Sequence, residues 1–168
     1  VGLGVGQGDN VIVPDVTFIA SANAVKYANA NVVLCDINLD DWGLDQTYIN
    51  GIIAKNKINA IIQVDLYGVK CKDIKLNDNA LIIHAACESF KLGSGIASIF
   101  SFYGNKIISC GEGGAIATND SNLYLRLYHL RGQAMTSVRY FHDDIGYNYR
   151  ITEMQSALGL GQLRMIDE

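Results

Sequence analysis

Charge is scarce in this chain of 168 residues. Asp, Glu, Lys and Arg make up 18%, and the formal net charge is -4. Such a balance offers no basic surface for nucleic acid or for an anionic membrane, so neither is expected as a partner. No apolar run approaches the roughly 20 residues of a membrane-spanning helix. The chain opens without Met and without a basic n-region, so no signal peptide is expected. The four cysteines, Cys35, Cys71, Cys87 and Cys110, form no C-x-x-C pair, and zinc-ligand spacing is absent. They read as reduced thiols of a cytoplasmic protein, mostly small core residues. His84, His129 and His142 are scattered, and no metal site is expected. Internal repeats, low-complexity tracts and linkers are missing too. With 49% hydrophobic residues the chain is not a disordered one, and its length suits one domain with a sizeable core, residues 1–168.

Glycine, by contrast, is plentiful. The opening VGLGVGQGDN nevertheless fails as a dinucleotide fingerprint, because G-x-G-x-x-G must follow a strand and open a helix. Here the spacing does not fit and the segment precedes the strand-like VIVP. It reads as the end of a helix followed by a turn. Beyond it, strands are expected at Val11–Val13, Val32–Cys35, Ala60–Val64, Leu81–Ala85, Ala97–Phe102 and Ala115–Thr118. Helices are expected at Ile19–Ala30, Gln46–Lys55, Ser121–Arg131 and Glu153–Ile166, the last capped by Thr152. The segment Gln133–Tyr149 has no clear period. Strands that alternate with helices, several of them continuous apolar runs, predict an α/β fold: a mostly parallel sheet with helices on both faces.

The stretch Ser101–Gly114, SFYGNKIISCGEGG, sets Lys106 between an apolar run and a glycine cluster. Desolvation disfavours an ammonium, so lysine in such surroundings suits chemistry that needs a neutral amine, above all a Schiff base with a carbonyl. The plain alternative is a solvated lysine in a turn.

Five segments, in order and over nearly the whole chain, carry a resemblance: GVGQGDNVIVPDVTFIASANAVKYANA, CDINLDDW, QVDLYG, FSFYGNKIISCGEGGAIATND and GYNYRITEMQSALGLGQL. They resemble the DegT/StrS family of pyridoxal-phosphate-dependent nucleotide-sugar aminotransferases, and FYGNK with GEGG looks most like the perosamine-synthase type. The resemblance implies the large domain of the aspartate-aminotransferase-like fold (fold type I). It implies pyridoxal 5'-phosphate held by Lys106 as a Schiff base, a keto nucleotide sugar as substrate, and an amino donor such as glutamate, in amino-sugar biosynthesis for polysaccharide. Lys106 would also move the proton between donor carbon and cofactor carbon. Phe18 matches the aromatic that stacks on the cofactor ring; otherwise it is core. Ser101 matches the hydroxyl that binds the phosphate; otherwise it is a strand-end serine bonded to backbone. Glu88 matches the side chain at the phenolic oxygen; otherwise it is a solvated carboxylate. Asn148 matches the residue that reaches the phosphate of a neighbouring subunit's site, which implies a homodimer; otherwise it is a turn asparagine. The closing helix, through Gly159 and Gly161, offers a surface for close packing against a partner.

Three departures stand beside these matches. In LIIHAACES the usual acidic pair of the family, as in IEDAAES, is replaced by His84 and Ala85. Ala85 occupies the place of the aspartate that pairs with the pyridine nitrogen, and strand alternation turns His84 to the opposite face. Segments Val69–Asn79 and Ser89–Ser101 are shortened, which leaves two alternatives, a helix trimmed to a loop or a locally altered strand order. The family's N-terminal phosphate motif and C-terminal small domain are not in this sequence, so it reads as a core fragment, truncated at both ends. A family member without catalysis, serving as a binding or oligomerisation module, is the alternative these departures favour.

Overall fold

The computed structural model describes residues 1–76 and 79–166. Six strands build one sheet: β1 (Asn10–Pro14), β2 (Asn31–Cys35), β3 (Ala60–Val64), β4 (Leu81–Ala85), β5 (Ala97–Ser101) and β6 (Gly114–Ala117). Their spatial order is β2-β1-β3-β4-β5-β6, with every neighbouring pair parallel except β5 and β6. The helices are α1 (Ala20–Tyr27), α2 (Gln46–Ile53), α3 (Ser121–Arg131) and α4 (Glu153–Leu163).

Alternation along the strands separates the core into two layers, as side chains two apart share a face. On one face Val11, Val13, Ala60 and Ile62 pack with Val25 of α1, and Ala85 joins them at the rim. On the other, Ile12 and Ile61 pack with Ile49 of α2. The expected mostly parallel sheet with helices on both faces is therefore the observed fold. Local chemistry explains where the helices start. The Asp45 carboxylate accepts from the Thr47 and Tyr48 amides at the head of α2, and Asp120 does the same for Asn122 and Leu123 at the head of α3. Thr152 and Gln155 form a reciprocal capping box on α4.

Two expectations change and one open choice is settled. Residues 1–9 contain no helix; they form two turns, closed by the Gly4 amide on Val1 and the Asp9 amide on Gly6, with Gly4 and Gly8 at positive φ, so the expected turn is present and the helix end is not. The shortened segments resolve in favour of trimming. β3, β4 and β5 remain parallel neighbours, and the links between them carry only a three-residue 3-10 turn, Leu66–Gly68, among the described residues. Residues 77 and 78 of the first link lie outside the described residues. Gly159 packs against the chain itself rather than offering open surface. A methyl there would overlap the Cys110 sulfur, while Gly161 has nothing near it.

The order of strands also fixes where a ligand would sit. From β1 the chain moves to β2 on one side and then returns to β3 on the other, so loops diverge between β1 and β3. In open α/β sheets the crevice at such a reversal, beyond the carboxyl ends of the strands, is the binding edge.

Candidate active site at the carboxyl edge of the sheet

Four of the five candidate site residues follow the carboxyl ends of parallel strands. Phe18 follows β1, Glu88 follows β4, and Ser101 and Lys106 close and follow β5. Strands are spaced by about 4.8 Å, so the ends of β1 and β4 stand about 10 Å apart. Phe18 is 70% exposed, an aromatic face left open at this edge rather than a core residue. The shallow hollow lined by Leu3, Asp9, Lys57, Asn59 and Leu81 lies at the opposite, amino edge and contains none of these residues.

Lys106 sits in a turn after β5, where its amide donates to the Tyr103 carbonyl at 3.0 Å. Its Nζ reaches Glu88 Oε1 at 3.3 Å, and both side chains are mostly covered, 20% and 27% exposed. The other oxygen, Glu88 Oε2, accepts the Tyr67 amide at 2.6 Å. The loop that presents Lys106 is braced from behind. The Cys110 amide donates to Phe102, the Ser109 amide donates to Gln162 Oε1 of α4 at 2.6 Å, and Gly111 and Gly113 take positive φ. Ser101 Oγ accepts the Tyr103 amide at 3.3 Å, the strand-end bonding named as its alternative. A hydroxyl that accepts in this way still has its own proton to give. Asn148 stands apart. It is exposed and bridges Gly132 at the end of α3, held by the Tyr147 and Tyr149 amides on Leu130 and Arg131. The structure thus brings Lys106 and Glu88 together, sets Ser101 and Phe18 on the same edge, and leaves Asn148 facing outward.

Behind this edge, on the α2 face, lies a group the motifs did not single out. Asp65, fully buried, follows β3. Its Oδ1 accepts the Cys71 amide at 3.0 Å and the Cys71 thiol at 3.1 Å, and its Oδ2 accepts Ser89 Oγ at 2.5 Å. His84 Nε2 stands 2.8 Å from Oδ1, at ion-pair distance but out of line for a hydrogen bond. Gln63 donates to the Cys71 sulfur and to the Lys72 carbonyl. Burial alone would raise the Asp65 carboxyl, but the contacts from His84, Ser89 and Cys71 outweigh it and hold the group well below the usual carboxylate range. Burial, then the bond to Asp65, pushes the Cys71 thiol up to about 12, so it stays protonated and donates. Asp65, Cys71 and His84 offer three ligand-type atoms within 4.8 Å of one another, but those atoms already serve each other as hydrogen-bond and ion-pair partners. Two signals pointed here: an Asp at the end of the apolar run AIIQV and a His inside LIIHA. A polar side chain at such a buried position calls for a polar group beside it.

The register settles the face of His84. It pairs with Gln63 while Ala85 pairs with Val64, so His84 and Ala85 point to opposite layers. The His84 ring is enclosed between Asp65 and Gly93, and Ala85 presents only a methyl toward the α1 side.

The profile of the DegT/DnrJ/EryC1/StrS aminotransferase family matches residues 1–168. The chain is 41% identical over 180 residues to the GDP-perosamine synthase of Escherichia coli O157:H7, covering 99% of this chain and 49% of that protein. It is 34% identical over 187 residues to EpsN of Bacillus subtilis, described as a putative pyridoxal phosphate-dependent aminotransferase, covering 99% of this chain and 48% of that one. The solved structure of S. venezuelae DesV in complex with a ketimine intermediate superposes with a TM-score of 0.84 at 32% identity, over 99% of this chain and 48% of DesV. The chain spans about half the length of the curated relatives it matches.

For pyridoxal phosphate the residues present make a partial fit. An amine beside a carboxylate, a hydroxyl at a strand end and an exposed aromatic face are on one edge. A carboxylate for the ring nitrogen is not, because Ala85 has none and Asp65 is engaged in the other layer.

Proposed function

This chain belongs to the DegT/DnrJ/EryC1/StrS aminotransferase family, and we propose that it forms the cofactor-binding part of an aminotransferase acting on the keto group of a nucleotide sugar, in the making of amino sugars for polysaccharide. The observation that carries this reading is the Lys106–Glu88 pair at the carboxyl edge of β4 and β5. Pyridoxal 5'-phosphate, when bound, supplies an aldehyde carbon that takes up the amino group and a ring that takes up electrons. Lys106 would hold it covalently and, once released, move a proton with its free amine. Glu88 would keep that amine in place and face the phenolic oxygen. Ser101 would donate its hydroxyl proton to the phosphate, and Phe18 would cover one face of the ring. Asn148, outward-facing on a segment pinned to α3, would complete the phosphate site of a second copy, which makes the working unit a homodimer. An amino donor such as glutamate would supply the nitrogen. The free thiols favour the cytoplasm, where thiols stay reduced.

Ala85 supports a second reading, a scaffold that binds without turning over. Adding pyridoxal phosphate to the protein separates the two. The first reading expects a visible band that borohydride abolishes and that Lys106→Ala never forms. No band in the unaltered protein would favour the scaffold.

A further inference from the structure

We propose that Asp65 is a positioning residue for the Glu88–Lys106 pair, deepening the reading of Lys106 as the reacting amine. A carboxylate with no exposure must have its oxygens satisfied by donors. Three residues meet Asp65: Cys71 beyond the turn after β3 and Ser89 beyond the end of β4 donate to it, and the His84 ring within β4 stands at ion-pair distance. Two of the three bracket Glu88. Ser89 is its neighbour in the chain, so the 2.5 Å bond to Asp65 fixes the backbone from which Glu88 projects. Cys71 closes the loop that contains Tyr67, whose amide grips Glu88 Oε2 at 2.6 Å.

That loop does not hold its shape unaided. Tyr67 has φ 53° and Gly68 φ 81°, and left-handed backbone at a tyrosine persists only when its surroundings enforce it. The Asp65–Cys71 closure supplies the enforcement. A methyl on Gly68 would meet the Glu88 carbonyl at 3.3 Å, so this turn and the one after β4 are in contact. One buried carboxylate therefore fixes both sides of a second one, and the second holds Lys106 at 3.3 Å. Asp65 touches neither Lys106 nor the binding edge and acts through Glu88.

Competitive acetylation of the protein at neutral pH tests this without cofactor, reading Lys106 against exposed Lys55 by mass spectrometry. An ammonium clamped by a carboxylate acylates slowly. Glu88→Gln should raise Lys106 labelling by about two- to fivefold, the range of a partly exposed ion pair. Asp65→Asn should raise it in the same direction, and the double variant should exceed neither single one appreciably. Ser89→Ala, which removes one donor, should give a smaller rise, and Ser89→Thr, which keeps the hydroxyl, should return it to the unaltered level. Should Asp65→Asn fail to fold, the serine pair decides alone. Unchanged labelling in folded Asp65→Asn or in Ser89→Ala, or effects that multiply in the double variant, would overturn the proposal. The labelling does not depend on pyridoxal phosphate, so an absent visible band overturns the functional reading without touching this one.

Discussion

Gly93→Ala tests where His84 points, and the functional reading of Ala85 depends on that placement. A methyl at Gly93 would overlap the His84 ring at Nδ1 and Cγ and approach Cε1 to 2.6 Å. The ring is 1% exposed and has Asp65 Oδ1 at 2.8 Å on its far side, so it has little room to retreat. Overpacking of this kind costs about 1–3 kcal/mol. That loss is a substantial part of the about 5–15 kcal/mol that stabilises a whole domain. Urea unfolding should show a lower midpoint with an unchanged slope. His84→Ala makes room for the new methyl. The double variant should therefore be more stable than the sum of the two single losses by about 1 kcal/mol or more. A Gly93→Ala protein within about 0.5 kcal/mol of the unaltered one, or strict additivity, would refute the placement. His84 would then be free to turn toward the site and stand in for the missing carboxylate.

Ala85→Asp should raise retention of pyridoxal phosphate by about tenfold to a hundredfold, the worth of a hydrogen bond to a charged group. Equilibrium dialysis followed by absorbance checks it, and unchanged retention would mean that Ala85 does not face the ring nitrogen. The thiols make stability depend on alkaline pH. Burial, then the carboxylates of Asp45, Asp15 and Asp36, pushes Cys35 up to about 11, and Cys71 lies at about 12. A raised thiol contributes stability that is complete below the unfolded value, about 8.5, and is lost as pH rises through the folded one. The urea midpoint should decline from about pH 8.5 upward, and Cys71→Ala should flatten that decline. A profile equally steep without Cys71 would count against it.

Much of the scaffold was legible because local and global signals agree. Ala60–Val64 and Leu81–Ala85 are apolar runs bounded by polar residues, and both strands fall where the runs do. Ser121–Arg131 is a helix over its expected span because Asp120 caps it. The helix from Ile19 is shorter than expected, ending at Tyr27, since Ala28–Ala30 turn away with Asn29 at φ 59°. At the site, Lys106 was visible from its setting, but its partner was not derivable from spacing. Glu88 and Lys106 lie 18 positions apart and meet only because β4 and β5 are adjacent. The Asp65 group was less visible still, since its members share no motif and are joined only by the parallel register of β3 and β4.

That register also explains how one strand end serves two purposes. Position 84 faces the layer under α2, where burial is complete and a polar side chain survives only with a partner such as Asp65. Position 85, the last residue of β4, faces the α1 layer at its rim. The imidazole is thus spent on holding the sheet together, and the strand-end position on the α1 side carries no titratable group. On the proposed function, a chain built this way would keep the means to seat a cofactor with its turnover lowered. On that reading, seating would depend on Lys106, Glu88 and the loop behind them, all braced by groups other than Ala85. Binding and turnover should therefore respond to different substitutions: Ser89→Ala should loosen the lysine without touching the α1 layer, and Ala85→Asp should act on the ring nitrogen without moving Lys106.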